Sequence, residues 1–357
     1  MRFKLYPKLL LTFLFCGLVS TVVKAQTANT YLFAPGTGTL DPMTGATQIL
    51  NSGNDDNPSA LQNIGFNFDY EGVTYTQFSI TPDGFVKLGA PVAVAQFGNS
   101  ITSTTNIPKV FPFWDDLATG SNGFASFVVT GTAPNRICKI HWFVTIPRNT
   151  TGAANSTFQV WLYETTNVIE FRYGTVGGAA SSASVGINGA VATNFISVTT
   201  PGATTSTSTA NNSNTAWPGV GAMYTFAPPV ACSAPPTGGT TVTTTPAVCT
   251  GVNFTLFVNG ASMATGITYQ WESSPDNVTY TAIGGATGIS YTGTQTTATW
   301  YRRKITCSGV DAWSTPIQLT MNPPINCYCT AGATSTSFEK ISNVTLNTLN
   351  TTSSSTA

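Results

Sequence analysis

The sequence predicts an all-β protein: an N-terminal β-sandwich or jelly-roll-like domain, a shorter second β-sandwich, and the truncated start of a third β module. Three observations lead there. Thr, Ser, Asn, Gly and aromatic residues dominate while Lys, Glu and Leu are scarce, which favours short strands and turns over helices. Runs of four to nine residues alternate apolar and polar positions at period two. A proline-rich break, FAPPVACSAPPTGG at 226–239, separates two such regions. Domains are expected at 26–228 and 239–322, with a stiff linker over 229–238 and a third module begun at 323–357.

The first 25 residues stand apart. MRFKLYPK is basic, LLLTFLFCGLVSTVV is apolar, and Val23-Lys24-Ala25 places small residues where a signal peptidase cuts. Residues 1–25 therefore read as a secretory signal peptide, cleaved after Ala25. The apolar run is shorter than the ~20 residues a membrane-spanning helix needs, and no later stretch is long enough. The expectation is a secreted or cell-surface protein without a membrane span. Loss of Arg2, Lys4, Lys8 and Lys24 leaves ten basic residues against 14 acids, a net charge of −4. Arg302-Arg303-Lys304 is the only basic cluster and reads as a strand with one solvated face, so nucleic acid is excluded as a partner.

In the first module, Ile64, Phe66, Phe68 and Tyr70 alternate with Gly65, Asn67 and Asp69, a half-buried strand. Glu71-Gly72 turns it into VTYTQFSI, and Pro82-Asp83-Gly84 turns again into FVKLG. Cys138, Ile140, Trp142, Val144 and Ile146 share one strand face, and STFQVWLY with VIEFRYG reads as a hairpin across ETTN. Many short strands without a helical pattern predict a sandwich.

The second module reads as seven strands: TTVTTT, VNFTLFV, ITYQWES, VTYTAI, GISYT, TATWYRRKIT and TPIQLTM. With Trp271 in the third and Trp300-Tyr301 in the sixth, it resembles an immunoglobulin-like sandwich. In that family a Trp on the third strand fills the core and a Tyr braces the sixth. The core is accordingly expected around Trp114 and Trp142 in the first module and Trp271 and Tyr301 in the second. Neither the second nor the sixth strand has a central Cys, so the usual inter-sheet disulfide of that family is absent.

Six cysteines remain after export, where disulfides are permitted. The immunoglobulin-like topology implies that Cys249 and Cys327 lie at one end of the sandwich and Cys232 and Cys307 at the other. It thus implies the pairs Cys249–Cys327 and Cys232–Cys307. A Cys249–Cys307 bridge would join opposite ends, beyond the ~7 Å limit for bridged α-carbons. Cys138 shares a core face and reads as a buried thiol. Cys327-x-Cys329 lacks the second pair a zinc site needs.

Further resemblances cover most of the chain. Tyr328-Cys329-Thr330 and the strand Ile341 to Leu346 resemble the opening of the GEVED domain of secreted Bacteroidetes proteins. There the first Cys is expected to pair further along, which implies that the sequence is a fragment of a longer protein. Cys232, Cys249-Thr250-Gly251, Tyr269-Gln270-Trp271, Ser273 to Asp276, Gly285-Ala286-Thr287 and Thr306 to Gly309 are similar to the immunoglobulin-like modules that precede such domains. Relatives often carry a Cys where this chain has Arg303. TPDGFVKLG, FPFWDDL, TFQVWLYETTNVIEFRYG and SVGING resemble the nidogen-type extracellular domain, a likeness of strands and turns that transfers no functional residue.

Few residues suggest chemistry. His141 is the only histidine; it lies opposite the apolar face of its strand with no G-x-S-x-G or catalytic-Cys context, and reads as solvated or at an edge. Asp115 and Asp116 end FPFWDDL. Neighbours on a strand point to opposite faces, so they are not a glycosidase pair. If the chain turns there, both can face a loop and, with Asp55, Asp56 or Asn54, offer oxygens to calcium. The other reading is that Trp114 is buried at a strand end and the two Asp begin the turn. Calcium is the one cofactor left open. Glu170 and Arg172 share a polar face and can pair. Trp161 and Tyr163 suit either a sugar platform or a core strand.

The expected function is non-catalytic: an exported modular surface protein that adheres to an extracellular glycan or protein. The alternative is a set of targeting modules for a secreted hydrolase whose catalytic domain lies beyond Ala357.

Overall fold

The computed structural model describes residues 26–180 and 182–327, and the backbone of 343–346 and 349–352. The expected signal peptide and the Tyr328-Cys329-Thr330 motif lie outside the described residues. Of residues 328–357, only the paired strands Asn343–Leu346 and Leu349–Thr352 are described.

The chain is all-β, with only two single-turn 3₁₀ segments, Ala28–Thr30 and Pro324–Asn326, among the described residues. The first module contains β1 (Leu32–Thr37), β2 (Thr47–Leu50), β3 (Gln62–Tyr70), β4 (Val73–Ile80), β5 (Val86–Leu88), β6 (Lys109–Trp114) and β7 (Phe124–Thr130). It continues with β8 (Ile137–Val144), β9 (Ser156–Tyr163), β10 (Ile169–Tyr173), β11 (Ser184–Asn188), β12 (Phe195–Thr199), β13 (Thr204–Ser206) and β14 (Ala222–Ala227). They form two seven-stranded sheets, β1-β14-β10-β9-β8-β7-β2 and β13-β12-β11-β6-β5-β4-β3. Each sheet buries one face against the other. On β3, Ile64, Phe66, Phe68 and Tyr70 are buried while Gly65, Asn67 and Asp69 face water. From the opposite sheet, Cys138, Ile140, Trp142 and Val144 on β8 enter the same core. The Trp142 ring stacks on Phe158 at 5.2 Å and its Nε1 donates to Thr81 O at 2.8 Å, so its one polar atom is satisfied. Burial of a side chain this size stabilises the fold by about 3 kcal/mol.

β6 is buried on both faces. Val110 and Phe113 enter the sandwich core. Phe111 and Trp114 instead join Phe85, Val92, Ile101 and Phe195 in a smaller cluster roofed by the 89–108 segment. The switch occurs at Pro112: Trp114 pairs with Ser184 and Phe111 with Gly186, so β6 carries one extra residue, a bulge. Proline, without an N–H to donate, suits that position. Lys109 lies on the same side as Trp114, fully buried, with Nζ 4.2 Å from the indole.

The second module contains β15 (Thr240–Val242), β16 (Ala247–Val248), β17 (Phe254–Asn259), β18 (Thr268–Ser274), β19 (Thr281–Ala282), β20 (Tyr291–Gly293), β21 (Thr299–Cys307), β22 (Val310–Trp313) and β23 (Ile317–Met321). Sheet β15-β17-β20 packs on β16-β23-β21-β18-β19, with β22 paired to β21. All seven expected strands are present, and β16 and β22 are additional. Trp271, Phe254, Leu256, Tyr301 and Leu319 form the core. The expected bridges Cys232–Cys307 and Cys249–Cys327 are formed, and Cys138 is a free buried thiol.

The proline-rich segment is not a bare spacer. Thr265 N donates to Val230 O at 2.7 Å, Cys232 N to Thr265 O at 3.0 Å, and Ser262 N to Thr237 O at 3.0 Å. The segment lies along the second module and is tied to it by Cys232.

Candidate functional site

Two places gather unusual chemistry: an acidic end of the first sandwich and a cleft between the two modules.

The acidic end is built by loops. Asp115 and Asp116 directly follow β6, and Asp83 occupies the turn between β4 and β5. Gly84 makes that turn possible: its φ is +81°, and a Cβ there would meet Phe113 O at 2.1 Å. The close approach sets Asp83 against the 115–117 turn, with Asp115 N donating to Asp83 O at 3.2 Å and Leu117 N to Asp83 Oδ1 at 3.4 Å. The 51–57 loop is pinned alongside by Thr119, whose N–H donates to Asn54 O at 2.8 Å. Asp55, Asp56 and Asp116 each bring a carboxylate oxygen within 4.8 Å of the others.

Trp114 is fully buried at the strand end and the two Asp follow it in the turn, as one of the two sequence readings had it. Asp115 turns inward: it is 4% exposed, and its carboxylate accepts Asp116 N at 3.0 Å and Ser182 N at 3.4 Å. Asp116 stays half-buried beside Asp55 and Asp56. Asn54 closes a turn with its own loop, accepting Asn57 N at 3.0 Å. Arg148 grips Asp55 in a two-pronged ion pair, with Nε 2.9 Å from Asp55 Oδ1 and also 2.9 Å from Asp116 Oδ1.

Asp83 and Arg148 were not foreseen. Asp83 is fully buried, with the Thr81 hydroxyl beside its carboxyl. Burial, with the nearby charges of Asp56 and Asp116, pushes its carboxyl up to about 8. Burial and neighbouring acids also raise Asp116, against the pull of Arg148. The sequence signal for Asp83 is Pro-Asp-Gly, which reads equally as an ordinary turn.

His141 is more covered than expected. The ring packs on Phe124 at 5.8 Å, burial drives its pKa down to about 4, and Gln159 is its one hydrogen-bond partner among the described residues, at 3.3 Å. Trp161 lies on the outer face of its sheet, yet only 8% exposed. Arg172 stacks on it at 3.4 Å and Lys139 at 4.3 Å, so its ring is already occupied. Glu170 and Arg172 pair at 2.8 Å.

The cleft, about 940 Å³, lies between the β1/β14 edge of the first sandwich and the β17–β18 side of the second. Its walls join aliphatic side chains such as Leu32, Met223, Val258 and Ile267 to the rings of Phe33 and Tyr163 and the carboxylate of Glu170. β1 ends its sheet, and its Thr37 gives N–H and C=O to the Asn259 side chain. Gly38 N, by contrast, bonds Gly221 O, toward β14. Residues two apart in a strand present their backbone to the same side, so Phe33 and Pro35 also turn their backbone groups to the cleft. Tyr269 and Arg303 line its floor.

The basic triplet lies on a strand with one solvated face, and Arg303 belongs to the other. Its neighbours Arg302 and Lys304 face out and pair with Glu272 and Asp311. Arg303 faces in, between Tyr301 and Ile305, 4% exposed, with its guanidinium 4.3 Å from the Tyr269 ring. One Nη donates to Ile289 O, Nε has no partner, and Arg303 makes no ion pair among the described residues. Burial lowers its pKa to about 10. Its alternation with Tyr301 and Ile305 was the available signal.

The second module matches the model of a domain of unknown function (DUF8696) over residues 237–323. No curated protein matches the sequence. Residues 30–228 match the NIDO-related family model, in line with the nidogen-type resemblance of the strands and turns. That match covers more than half of the 357 residues, and the chain belongs to the NIDO-related family.

Proposed function

We propose that the chain is an exported, non-catalytic surface module that adheres to another protein by holding an extended, apolar segment bearing one carboxylate in the cleft between its sandwiches. The observation that carries this is Arg303: a buried guanidinium without an ion pair among the described residues, on the floor of a largely apolar cleft whose one carboxylate, Glu170, is already held by Arg172, which calls for an anionic partner. The outward backbone of Phe33 adds a sheet edge to which an extended chain can pair. A sugar ligand has less support, because Trp161, the expected platform, already carries Arg172 and Lys139 over its ring. The NIDO-related and DUF8696 matches fit a modular protein of this kind, and the second module is read as immunoglobulin-like.

The test uses the full chain and a fluorescent alternating Val/Thr decapeptide with a free C-terminal carboxylate. Anisotropy should report binding that weakens at least about tenfold on peptide amidation, on backbone N-methylation or in Arg303→Gln, the scale of one charge-assisted hydrogen bond. Binding indifferent to all three, or absent at millimolar peptide, overturns the proposal. Retention on one insoluble polysaccharide instead would favour the hydrolase-accessory reading.

A further inference from the structure

The outer face of the first sheet carries a polar row beneath a loop. Gln48 on β2, Ser126 on β7, His141 on β8 and Gln159 on β9 stand opposite one another in turn. Their chain neighbours Ala125, Ile140 and Val160 enter the core, so Ser126, His141 and Gln159 project outward. Gln159 ties the 38–46 loop over this row: its Nε2 donates to Asp41 O at 2.8 Å and its Oε1 accepts Asp41 N at 2.9 Å. Asp41 Oδ1 accepts Met43 N at 2.7 Å, and Lys139 pairs with the same carboxylate. Between loop and sheet lies a pocket of about 360 Å³, with Pro42, Met43, Ala46 and Phe124 as apolar walls and Ser126 and His141 on the sheet side. It shares no lining residue with the cleft.

Two polar groups of this pocket lack a partner among the described residues. Ser126 is 4% exposed, and its Oγ is buried without a hydrogen bond. A buried hydroxyl in that state is costly, and proteins rarely keep one unless something outside the chain satisfies it. His141 supplies the second group. Gln159 Oε1 accepts from Asp41 N and from Trp161 Nε1, so the amide turns its NH₂ to the imidazole. Nδ1 therefore accepts, at 3.3 Å, and the ring proton sits on Nε2, which bonds no described residue. Burial holds the ring neutral, with its pKa down at about 4. Ser126 and His141 share no hydrogen bond, so they are binding groups and not an activated nucleophile.

We propose that this pocket binds a small uncharged ligand that presents an amide carbonyl beside a methyl group, as an acetamido group does. His141 Nε2–H donates to the carbonyl oxygen, Ser126 Oγ bonds the amide N–H, and the methyl packs among Met43, Ala46 and Phe124. A charged ligand is disfavoured. The imidazole is neutral, and the one carboxylate of the lining, Asp41, is already held by Lys139. N-acetylated sugars and N-acetylated amino acids both carry the group.

The experiment uses the full chain with isotope-labelled histidine nitrogens, so that its single imidazole reports by magnetic resonance. N-acetylglucosamine and N-acetylalaninamide are titrated separately, with glucose and alanine as controls that lack the acetyl group. At least one acetylated probe should shift the His141 Nε2 signal while Nδ1 stays unprotonated, and the controls should not. Which probe acts separates a sugar from a peptide source. Ser126→Ala should weaken that binding about fivefold or more while the melting temperature holds or rises, because no internal hydrogen bond is lost. His141→Phe, which keeps a ring against Phe124, should abolish binding seen from the probe's own signals, and Ser126→Ala decides if that variant does not fold. No shift with either probe at about 100 mM, a proton found on Nδ1 of the free protein, or binding untouched by Ser126→Ala overturns the proposal.

Discussion

Asn259 of the second sandwich holds Thr37 of the first through both ends of one side-chain amide: Oδ1 accepts the Thr37 N–H at 3.1 Å and Nδ2 donates to Thr37 O. The amide imitates a strand's backbone and completes β1 at the place where the edge would otherwise end in water. Asn259→Ala should leave that edge bare and weaken the junction by about 1–2 kcal/mol. Calorimetry should then resolve two separated melting transitions where the parent shows closer coupling. Gly36→Ala attacks the same contact, because its methyl would lie 2.4 Å from Asn259 Oδ1.

Lys109 predicts a pH slope. Its ammonium is buried against Trp114, with Nζ donating to Thr105 O at 2.9 Å, and burial, with some repulsion from Lys87, pulls its pKa down to about 7. The folded state therefore holds this proton less firmly than the unfolded chain. Its contribution to stability is greatest above pH 10.5 and is lost as pH falls toward 7. The difference amounts to roughly 2–4 kcal/mol across that window. Urea unfolding at pH 7.5 and 9.5 should show the parent gaining stability relative to Lys109→Met as pH rises. Parallel slopes would refute the assignment.

The bridge Cys232–Cys307 closes a loop with a sequence separation of 75. Replacing both with Ser should lower the stability of the second module by about 3–4 kcal/mol, and the first module should melt unchanged. Near-ultraviolet circular dichroism, followed separately from the tryptophans of each module, distinguishes the two.

Arg148→Gln tests the ion pairs of the acidic end. Arg148 pairs with both Asp55 and Asp116, so its removal leaves Asp55, Asp56 and Asp116 to repel one another. The variant should melt earlier than the parent in calorimetry, and the deficit should shrink as salt is raised. An unchanged melting temperature at low salt would contradict a stabilising role for these pairs.

Much of the fold was legible because period-two burial is a local property. Gln62–Tyr70 and the Cys138–Ile146 face alternate in sequence as they do in space. The disulfides were legible because the strand order expected of the second module places the cysteines in pairs at opposite ends. The bulge at Pro112 was not, since it depends on the register against β11. Nor were the inward cations. Lys109 looks like any residue flanking a strand until the 89–108 segment covers it. Arg303 hid inside a basic triplet, although alternation with Tyr301 and Ile305 pointed it inward. At the acidic end, Asp55, Asp56 and Asp116 were named in advance and do converge. Asp115 was grouped with them, but it turns to the backbone. Asp83 was passed over because a Pro-Asp-Gly turn carries no mark of the company it will keep.

The two disulfides interlock, since Cys249 lies between the partners of the first bridge and Cys327 beyond them. The consequence is mechanical. A tensile load entering at Cys232 and leaving at Cys327 can run along 17 residues to Cys249 and cross there, so the slack available is set by that short path and not by the 95 residues between the ends. At about 3.5 Å per residue the second module can lengthen by no more than roughly 60 Å before the load falls on covalent bonds, where an unbridged sandwich would pay out several times as far.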